Sequence, residues 1–463
     1  MAVFSTISLA RLERFKRIDS EYYQPKYLAL DVLHQHGQWV SIRKCLELCE
    51  YGISIKMNED RVGHPIFRMD NLKNGFVLDE DMKYAPVEEP TLKKFRLRLN
   101  DVLFDRVNSE EFVGRTGIFK LTGDYVFASY LLRLQTNGTI SPDVLNLFLN
   151  CRYGVLSVRR LSRRAVNQAN VNAQELLSIL MPRFSQAIQA DLSSCSDHAW
   201  GLFTKAKELF TQAQELLLSE LDLQNWTSPR TLTYVLESSR PKRARRIDAE
   251  HFQPKYADLR THICSYRHGY VRLTDIATNS DETIDLSAHA GESFDYVALA
   301  DINEVTGTID STSQIKGQDA PSRARMRLRA GDVIASAVEG SLDKVALVSK
   351  EYGGAIGSTG FFVLRPRTVQ SGYLLALTKS VVVQDQMRCE ASGTILAAVP
   401  AKSLRSIVVP NIPPDKQTQI AELVQRAHTA RREALAILAK ARRAVEMAIE
   451  EGEDRAREFI EHT

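Results

Sequence analysis

From residue 420 onward, apolar side chains return at alternating intervals of three and four: Ile420, Leu423, Ala427, Ala430, Ala434, Ile437, Ala441, Ala444 and Ala448. That interval is a helical heptad seam, kept here over four repeats. Val424, Leu438 and Val445 widen the stripe on one flank, and Lys and Arg crowd the other faces. The stretch 415–449 predicts one helix of ~52 Å, at about 1.5 Å per residue. An earlier stretch repeats the spacing with Ala199, Phe203, Ala206, Phe210, Ala213 and Leu217. One seam carries large Phe and Leu, the other mostly Ala, and alternation of large and small is how facing helices fill space. The pattern reads as a two-helix coil, against the alternative of two helices each packed only on its own globular part.

Each helix follows a globular part with a different pattern. There, β-branched and aromatic runs are bounded by Gly, Asn and Asp turns and mixed with short helical stretches, which reads as α+β. The two parts repeat one another. RIDSEYYQPKY at 17–27 returns as RIDAEHFQPKY at 246–256, an offset of 246 − 17 = 229. GQWVSIRKC from Gly37 answers GYVRLTDIA from Gly269. RLRLNDVLFDRV from Arg96 answers RLRAGDVIASAV from Arg327, and YVFASYLLRLQ from Tyr125 matches AIGSTGFFVLRP from Ala355 in pattern. SILMPRF and SIVVPNI close the series at Pro182 and Pro410. Five landmarks in one order are a tandem repeat. The expected layout is a first globular domain at 1–182, a helix at 183–223, a basic linker at 224–245, a second globular domain at 246–412 and a C-terminal helix at 413–463.

Composition narrows the classes. No apolar run approaches the ~18 residues of a membrane span. The opening stretch lacks the basic and apolar regions of a secretory signal. Six Cys are scattered, with Cys45 and Cys49 four apart. That is neither a disulfide framework nor a zinc pattern, so a reducing cytoplasm is expected. A net charge of +3 is too small to argue for nucleic acid by itself, so local charge must decide.

Two stretches are locally basic. Arg240, Lys242, Arg243, Arg245 and Arg246 fall within seven positions between the repeats. They read as a solvated linker or as a phosphate contact where the modules join. CRYGVLSVRRLSRRAVNQANVN at 151–172 holds five Arg and no acidic residue. A helix through it would put Arg160 and Arg164 on one face, beside Arg159 and Arg163. Asn167, Gln168, Asn170 and Asn172 follow. Arg offers a fork for phosphate and guanine, and the amides offer the paired donor and acceptor that match adenine. The alternative is an ordinary exposed helix and loop. The corresponding stretch of the second repeat, DQMRCEASGTILAAVPAKSL, is less basic.

Catalytic signatures are missing from the sequence. There is no GxxxxGK(S/T) loop and no HExxH. GAIGSTG at 354–360 precedes an apolar strand instead of opening a helix, the reverse of a dinucleotide fingerprint. PNIPPD at 410–415 lacks the aromatic that an (N/D)PP(Y/F/W) site needs to stack a flipped base. His, Cys and carboxylates fall into no metal spacing.

The doubled phrase, LNDVLFDRV, STGFFVLRP and VPNIPPDKQTQI, each in its place before a long helix, resemble the specificity subunits of type I restriction–modification systems over nearly the whole chain. The first copy departs from that pattern in FASYLLRLQ and PRFSQAIQ. The resemblance implies two tandem target-recognition domains, each followed by a long helix of an antiparallel coiled coil. It implies double-stranded DNA as ligand, two methyltransferase subunits carrying S-adenosylmethionine, and a translocating restriction subunit. It implies no cofactor, metal or chemistry in this chain. Arg106, Asn108, Arg159, Arg160, Arg163, Arg164, Asn167 and Gln168 of the first repeat form the candidate DNA set, with Ser341, Lys344 and Thr394 of the second. A tandem repeat can match the two-fold of DNA, which makes helices lying along the duplex antiparallel. A coil of ~50 Å spans between one and two turns of ~34 Å each, so the expected target is bipartite, asymmetric and interrupted by an unread spacer. A specificity subunit of a related phage-defence complex would share this fold. A fused methyltransferase or nuclease would need the missing cofactor motifs, and a coiled-coil adaptor would leave the Arg and amide stretch without a role.

Overall fold

The computed structural model describes every residue except 1–3, 16, 166–167, 228–229, 394–396 and 463. The chain forms two compact units, one of residues 1–202 with 432–463 and one of residues 203–431. The long helices are Gln186–Glu220 and Pro414–Glu450, and the unit boundary falls inside both. The second helix opens on a proline, as a first helical turn tolerates, while the first starts without one.

In the first unit, Trp39–Ser41 pairs antiparallel with Leu180–Pro182, Trp39 opposite Pro182. The globular part thus begins and ends on one two-stranded latch. Inside it lies a six-stranded sheet in the order Leu46–Tyr51, Leu131–Thr136, Val102–Asp105, Thr116–Ile118, Phe76–Val77, Leu72–Lys73. Its middle strands are near-continuous apolar runs because both faces are covered, and Leu103, Phe104, Leu131, Leu132 and Leu134 are all buried. The helix Pro142–Asn150 packs on Thr116–Ile118, where Asn150 Nδ2 donates to Thr116 O and Oγ1 at 3.2 and 2.6 Å. A smaller sheet pairs His64–Phe67 in parallel with Val126–Phe127.

The second unit repeats the plan. Tyr270–Arg272 pairs with Val408–Pro410, Tyr270 opposite Pro410. The main sheet runs Ala277–Asn279, Phe361–Pro366, Val333–Ser336, Val345–Leu347, the order of the first four strands of its counterpart. Ser293–Val297 pairs in parallel with Ile356–Ser358. The helix pair Pro142–Asn150 and Arg152–Leu161 is answered by Ser371–Lys379 and Val381–Glu390.

The doubled phrase ties the start of each repeat to the end of the second helix in that pair. Arg17 donates from Nε and Nη2 to Asp19 at 2.8 and 2.7 Å and from Nη1 to the Leu161 carbonyl at 3.3 Å. Arg246 holds Asp248 the same way, at 2.9 and 2.6 Å. It donates as well to the carbonyls of Glu390 and Ala391 at 3.2 and 2.7 Å. A cation on the last carbonyls satisfies groups that a helix end leaves unpaired and suits its negative pole. The bonded arginine holds each aspartate below its ordinary pKa.

The helix seams are buried as the spacing predicts, with one shift. All six residues of the first seam, Ala199 to Leu217, are buried. In the second helix Val424, Leu438 and Val445 are buried, while Leu423 and Ile437 are only half-buried. The buried stripe is therefore displaced toward the flank of Val424, Leu438 and Val445, while Leu423, Ile437 and Ala448 sit at its margin. It also holds Arg431, 3% exposed, whose fork meets Asp310 at 2.9 and 2.5 Å. Within residues 203–431, Leu209, Phe210, Ala213 and Leu217 share one apolar cluster with Ile420, Val424 and Ala427. In the first unit, Ile188 and Leu192 of the first helix and Ala434, Ala441 and Ala444 of the second are buried. There the chain turns at Gly452, φ +98°, into a short helix, Glu453–Glu461, from which Arg457 reaches Asp191 at 2.7 Å. No helix among the described residues is long and apolar enough to cross a membrane.

Candidate nucleic-acid interface

The basic stretch of the first repeat splits into a helix and a hairpin. The helix stops at Leu161 because Ser162 turns the chain, its Oγ donating to Arg159 O at 2.9 Å, while Arg17 takes the Leu161 carbonyl. Arg163–Ala165 then pairs antiparallel with Gln168–Asn170, and that strand pairs with Val107–Asn108. Arg160 and Arg164 consequently do not share a helical face. The hairpin and the distant segment Val107–Asn108 meet on one small sheet, and Arg106, Asn108, Arg163, Arg164 and Gln168 lie on or beside it.

Strand alternation assigns the faces. Gln168 and Asn170 are exposed and Ala169 is buried between them. Arg163 stands directly opposite Asn170, so it shares the exposed face. Its Nε donates to Glu175 Oε1 at 2.9 Å, with the arginine side chain 74% exposed. Glu175 is itself fixed by a capping box with Asn172, each backbone N–H donating to the other side chain at 2.9 Å. Asn172 is thus a helix cap, while Gln168 and Asn170 present free amide edges.

The buried face is scaffold. Asn108 stands opposite Ala169, donates from Nδ2 to Asp105 at 2.7 Å and accepts from Ser109 N at 2.8 Å. Burial pushes the Asp105 carboxyl up to about 7, against the pull of Asn108 and the Val107 N–H. Arg106 is half-buried, its guanidinium 5.0 Å from the centre of the Tyr51 ring. Arg159 is half-buried and donates to Glu111 O at 3.3 Å. Arg160 is interior, 7% exposed, forked onto Asp31 at 2.6 and 2.9 Å and lying 4.3 Å over Tyr22. A buried guanidinium needs such a partner, and the helix face that carries it is the one turned to the core. Asn167 lies outside the described residues.

The second unit keeps the skeleton. Val399 N donates to Ala337 O at 2.8 Å, as Val171 N does to Arg106 O at 2.9 Å. Val338 bridges Ala398, and Ser392 bridges Ala398. The side chains differ: Ala337, Ser392 and Gly393 stand where the first repeat has Arg106, Arg163 and Arg164. Ser341 Oγ lies 2.9 Å from Ser336 Oγ, and Lys344 is paired with Glu304. Thr394 lies outside the described residues. A basic row outside the candidate set stands elsewhere in this unit. The strand Ala324–Arg327 is a sheet edge, and Arg323, Arg325 and Arg327 are exposed along it at every second position. That period of two in PSRARMRLR was the available signal.

Among the described residues, one group has metal-ligand proximity: His251, Cys389 and Glu390, with ligand atoms within 4.8 Å. His251 Nδ1 is engaged with the Cys389 carbonyl at 2.7 Å. Burial pushes the Cys389 thiol up to about 12.

No protein-family model matches the chain. A putative type I restriction enzyme specificity subunit, MjaX, of Methanocaldococcus jannaschii is 27% identical over 187 residues, covering 39% of this chain and 44% of that protein. The type I restriction enzyme EcoKI specificity subunit of Escherichia coli is 27% identical over 136 residues, covering 28% and 29%. The matches thus span less than half the length of either relative. Among solved structures, the HsdS subunit of Thermoanaerobacter tengcongensis is 30% identical over 39% of this chain and 45% of that one, with a TM-score of 0.31. The S subunit of a type I restriction-modification system from M. genitalium is 12% identical over 90% and 97%, with a TM-score of 0.42. By sequence, as the doubled phrase and its companions led us to expect, the chain is a relative of the specificity subunits of type I restriction enzymes.

Proposed function

We propose that this chain is the DNA-recognition subunit of a type I restriction–modification complex, each globular part reading one half of a bipartite, asymmetric target. One observation supports the reading: a shared scaffold holds, at the same place in each repeat, a backbone-bridged turn whose paired side chains differ, Arg163 and Asn170 in the first against Ser392 and Ala398 in the second. Arg163 and Gln168 face solvent on the first hairpin, where an arginine fork and an amide can meet phosphate and base edges. Arg164 and Asn167 belong to the same reading element, with Arg106, Asn108 and Arg159 behind it. Arg160 is assigned to the scaffold. Ser341, Lys344 and Thr394, joined by the edge-strand arginines, serve the second half-site. A coiled-coil adaptor has no use for such a hairpin.

The two long helices pair antiparallel and set the distance between the half-sites. The shared apolar cluster in residues 203–431 supports this. So does the division of the chain, which groups the start of each long helix with the end of the other. Two methyltransferase subunits dock on the chain in the cytoplasm and bring S-adenosylmethionine, and a translocating restriction subunit completes the complex. This chain contributes recognition and no catalytic group. Methylation-sensitive sequencing of a strain with and without the gene tests the reading. A gene-dependent methylated motif in two halves, with an unread spacer, is the expected result. Identical methylomes would overturn it.

A further inference from the structure

The Arg–Ile–Asp triplets at 17–19 and 246–248 commit their Arg and Asp to the scaffold and leave their Ile in solvent. Ile18 is 91% exposed and Ile247 is 94% exposed. A single bare apolar side chain is ordinary on a protein surface. The same side chain bared twice, 247 − 18 = 229 residues apart, between the same two anchored neighbours, is not scatter. The anchoring has an energetic meaning. With Arg17 and Arg246 locked to their aspartates and helix ends, little backbone freedom remains to be lost on docking. Burial of the isoleucine is then expressed as affinity.

The approach to each triplet is tied back beyond it in both repeats, from equivalent donors to different acceptors. Ser5 Oγ donates to Tyr23 O at 2.8 Å, and the Tyr234 hydroxyl donates to Ala249 O. Ser5 and Tyr234 each stand twelve residues before the triplet arginine. A short helix follows in both, Leu9–Phe15 and Ser239–Ala244. Each lead-in bares further apolar side chains, Phe4 and Leu9 in one, Leu232 and Val235 in the other. The surround is basic: Arg240, Lys242, Arg243 and Arg245 are exposed, and the first lead-in carries Arg11, Arg14 and Lys16 in its sequence.

We infer that Ile18 and Ile247 are two equivalent docking knobs for two copies of one protein, each copy offering an apolar socket rimmed by carboxylates. The inference rests on the proposed function, which supplies a protein needed twice, the methyltransferase subunit. Phosphate would satisfy the surrounding arginines but gives nothing to an isoleucine. The hairpins diverge, as readers of different sequences must. The knobs do not, because both face the same partner.

The test uses the full chain co-expressed with the methyltransferase subunit of its own system, with stoichiometry read by native mass spectrometry. The parent chain takes up two subunits. Ile18→Asp and Ile247→Asp each take up one, the double variant takes up none, and Val62→Asp, on an exposed apolar residue outside the triplets, still takes up two. Ile18→Ala and Ile247→Ala weaken uptake about tenfold at their own site while leaving the melting profile of the chain as in the parent. Two subunits on every variant overturns the inference and leaves the proposed function standing. No uptake by the parent overturns the proposed function itself. A dimer of the chain alone, lost in Ile18→Asp, assigns the knob to a second copy and overturns the inference.

Discussion

In both units an arginine from the doubled phrase grips the end of a helix, and in both the chain beyond that helix forms a bridged turn back toward the main sheet. The arginine–aspartate fork is the same to within a few tenths of an ångström, and Arg246 takes more of the helix-end carbonyls than Arg17 does. The turn is not the same: one presents Arg163 and Gln168, the other is built from Ala, Ser, Gly, Thr and apolar residues. The comparison separates what a repeat must keep from what it is free to change. Backbone position is set by bonds between main-chain groups, such as Val171 N to Arg106 O and Val399 N to Ala337 O, and those are indifferent to side chains. Side chains on the exposed face are constrained only by what they meet.

The most damaging way to break the comparison is to attack a contact that only the first unit has. Arg160 with Asp31 has no counterpart in the second repeat, where Cys389 and Arg260 stand in the equivalent positions. Asp31→Ala strands a buried guanidinium and is expected to lower stability by about 3–5 kcal/mol. Chemical denaturation of the chain, followed by a first-unit probe such as Trp39, measures it.

Asp105 offers a sharper cut, because Ser336 occupies its place in the second unit. Its carboxyl is raised to about 7 in the fold, against an ordinary value near 4. Between those values the native state holds a proton that the unfolded chain has released. Stability therefore falls as pH rises from about 4 to about 7 and stays reduced above that. Asp105→Asn removes the titration. Its advantage over the parent is expected to be about 1–3 kcal/mol larger at pH 8 than at pH 4.5, and melting curves at the two pH values decide it.

A binding titration of the assembled complex, varying one half-site at a time, addresses the exposed face. Gln168→Ala is expected to relax base preference in one half-site only, by about 1–3 kcal/mol. Relaxation in both halves would mean that the hairpin does not belong to one reader. Arg163→Ala should weaken all sequences alike and lower the salt slope by about one ion. Smallest of all, Arg17→Ala and Arg246→Ala should each lower stability by about 1 kcal/mol and by similar amounts. Unequal losses would show that the two grips are alike in geometry only.

The architecture was legible because it is written twice. The phrase at 17 and 246 gave the period, the heptad spacing gave both helices, and the two prolines marked where each globular part closes. The site was harder to read. Four arginines in six positions at 159–164 look like one basic surface, yet the chain changes from helix to strand within them. Arg160 turns to the core, Arg159 is half-buried, and Arg163 reaches the surface. Composition cannot distinguish an arginine that faces a carboxylate 129 residues away from one that faces water. The depth of Leu423 and Ile437 was misjudged for a related reason. A strict heptad describes a seam between two helices, whereas this helix packs over a wider arc, wide enough to admit Arg431 and its partner Asp310.

Each globular part is closed by its latch, with residue 39 lying against 182 and residue 270 against 410. A segment whose two ends meet can be replaced without moving what lies outside it. In the language of coding, each latch is a pair of delimiters around a field. On the proposed function, two fields drawn independently from n readers yield on the order of n² addresses. Recombination confined to the stretches inside the latches would generate new addresses while leaving the interval between the words unchanged.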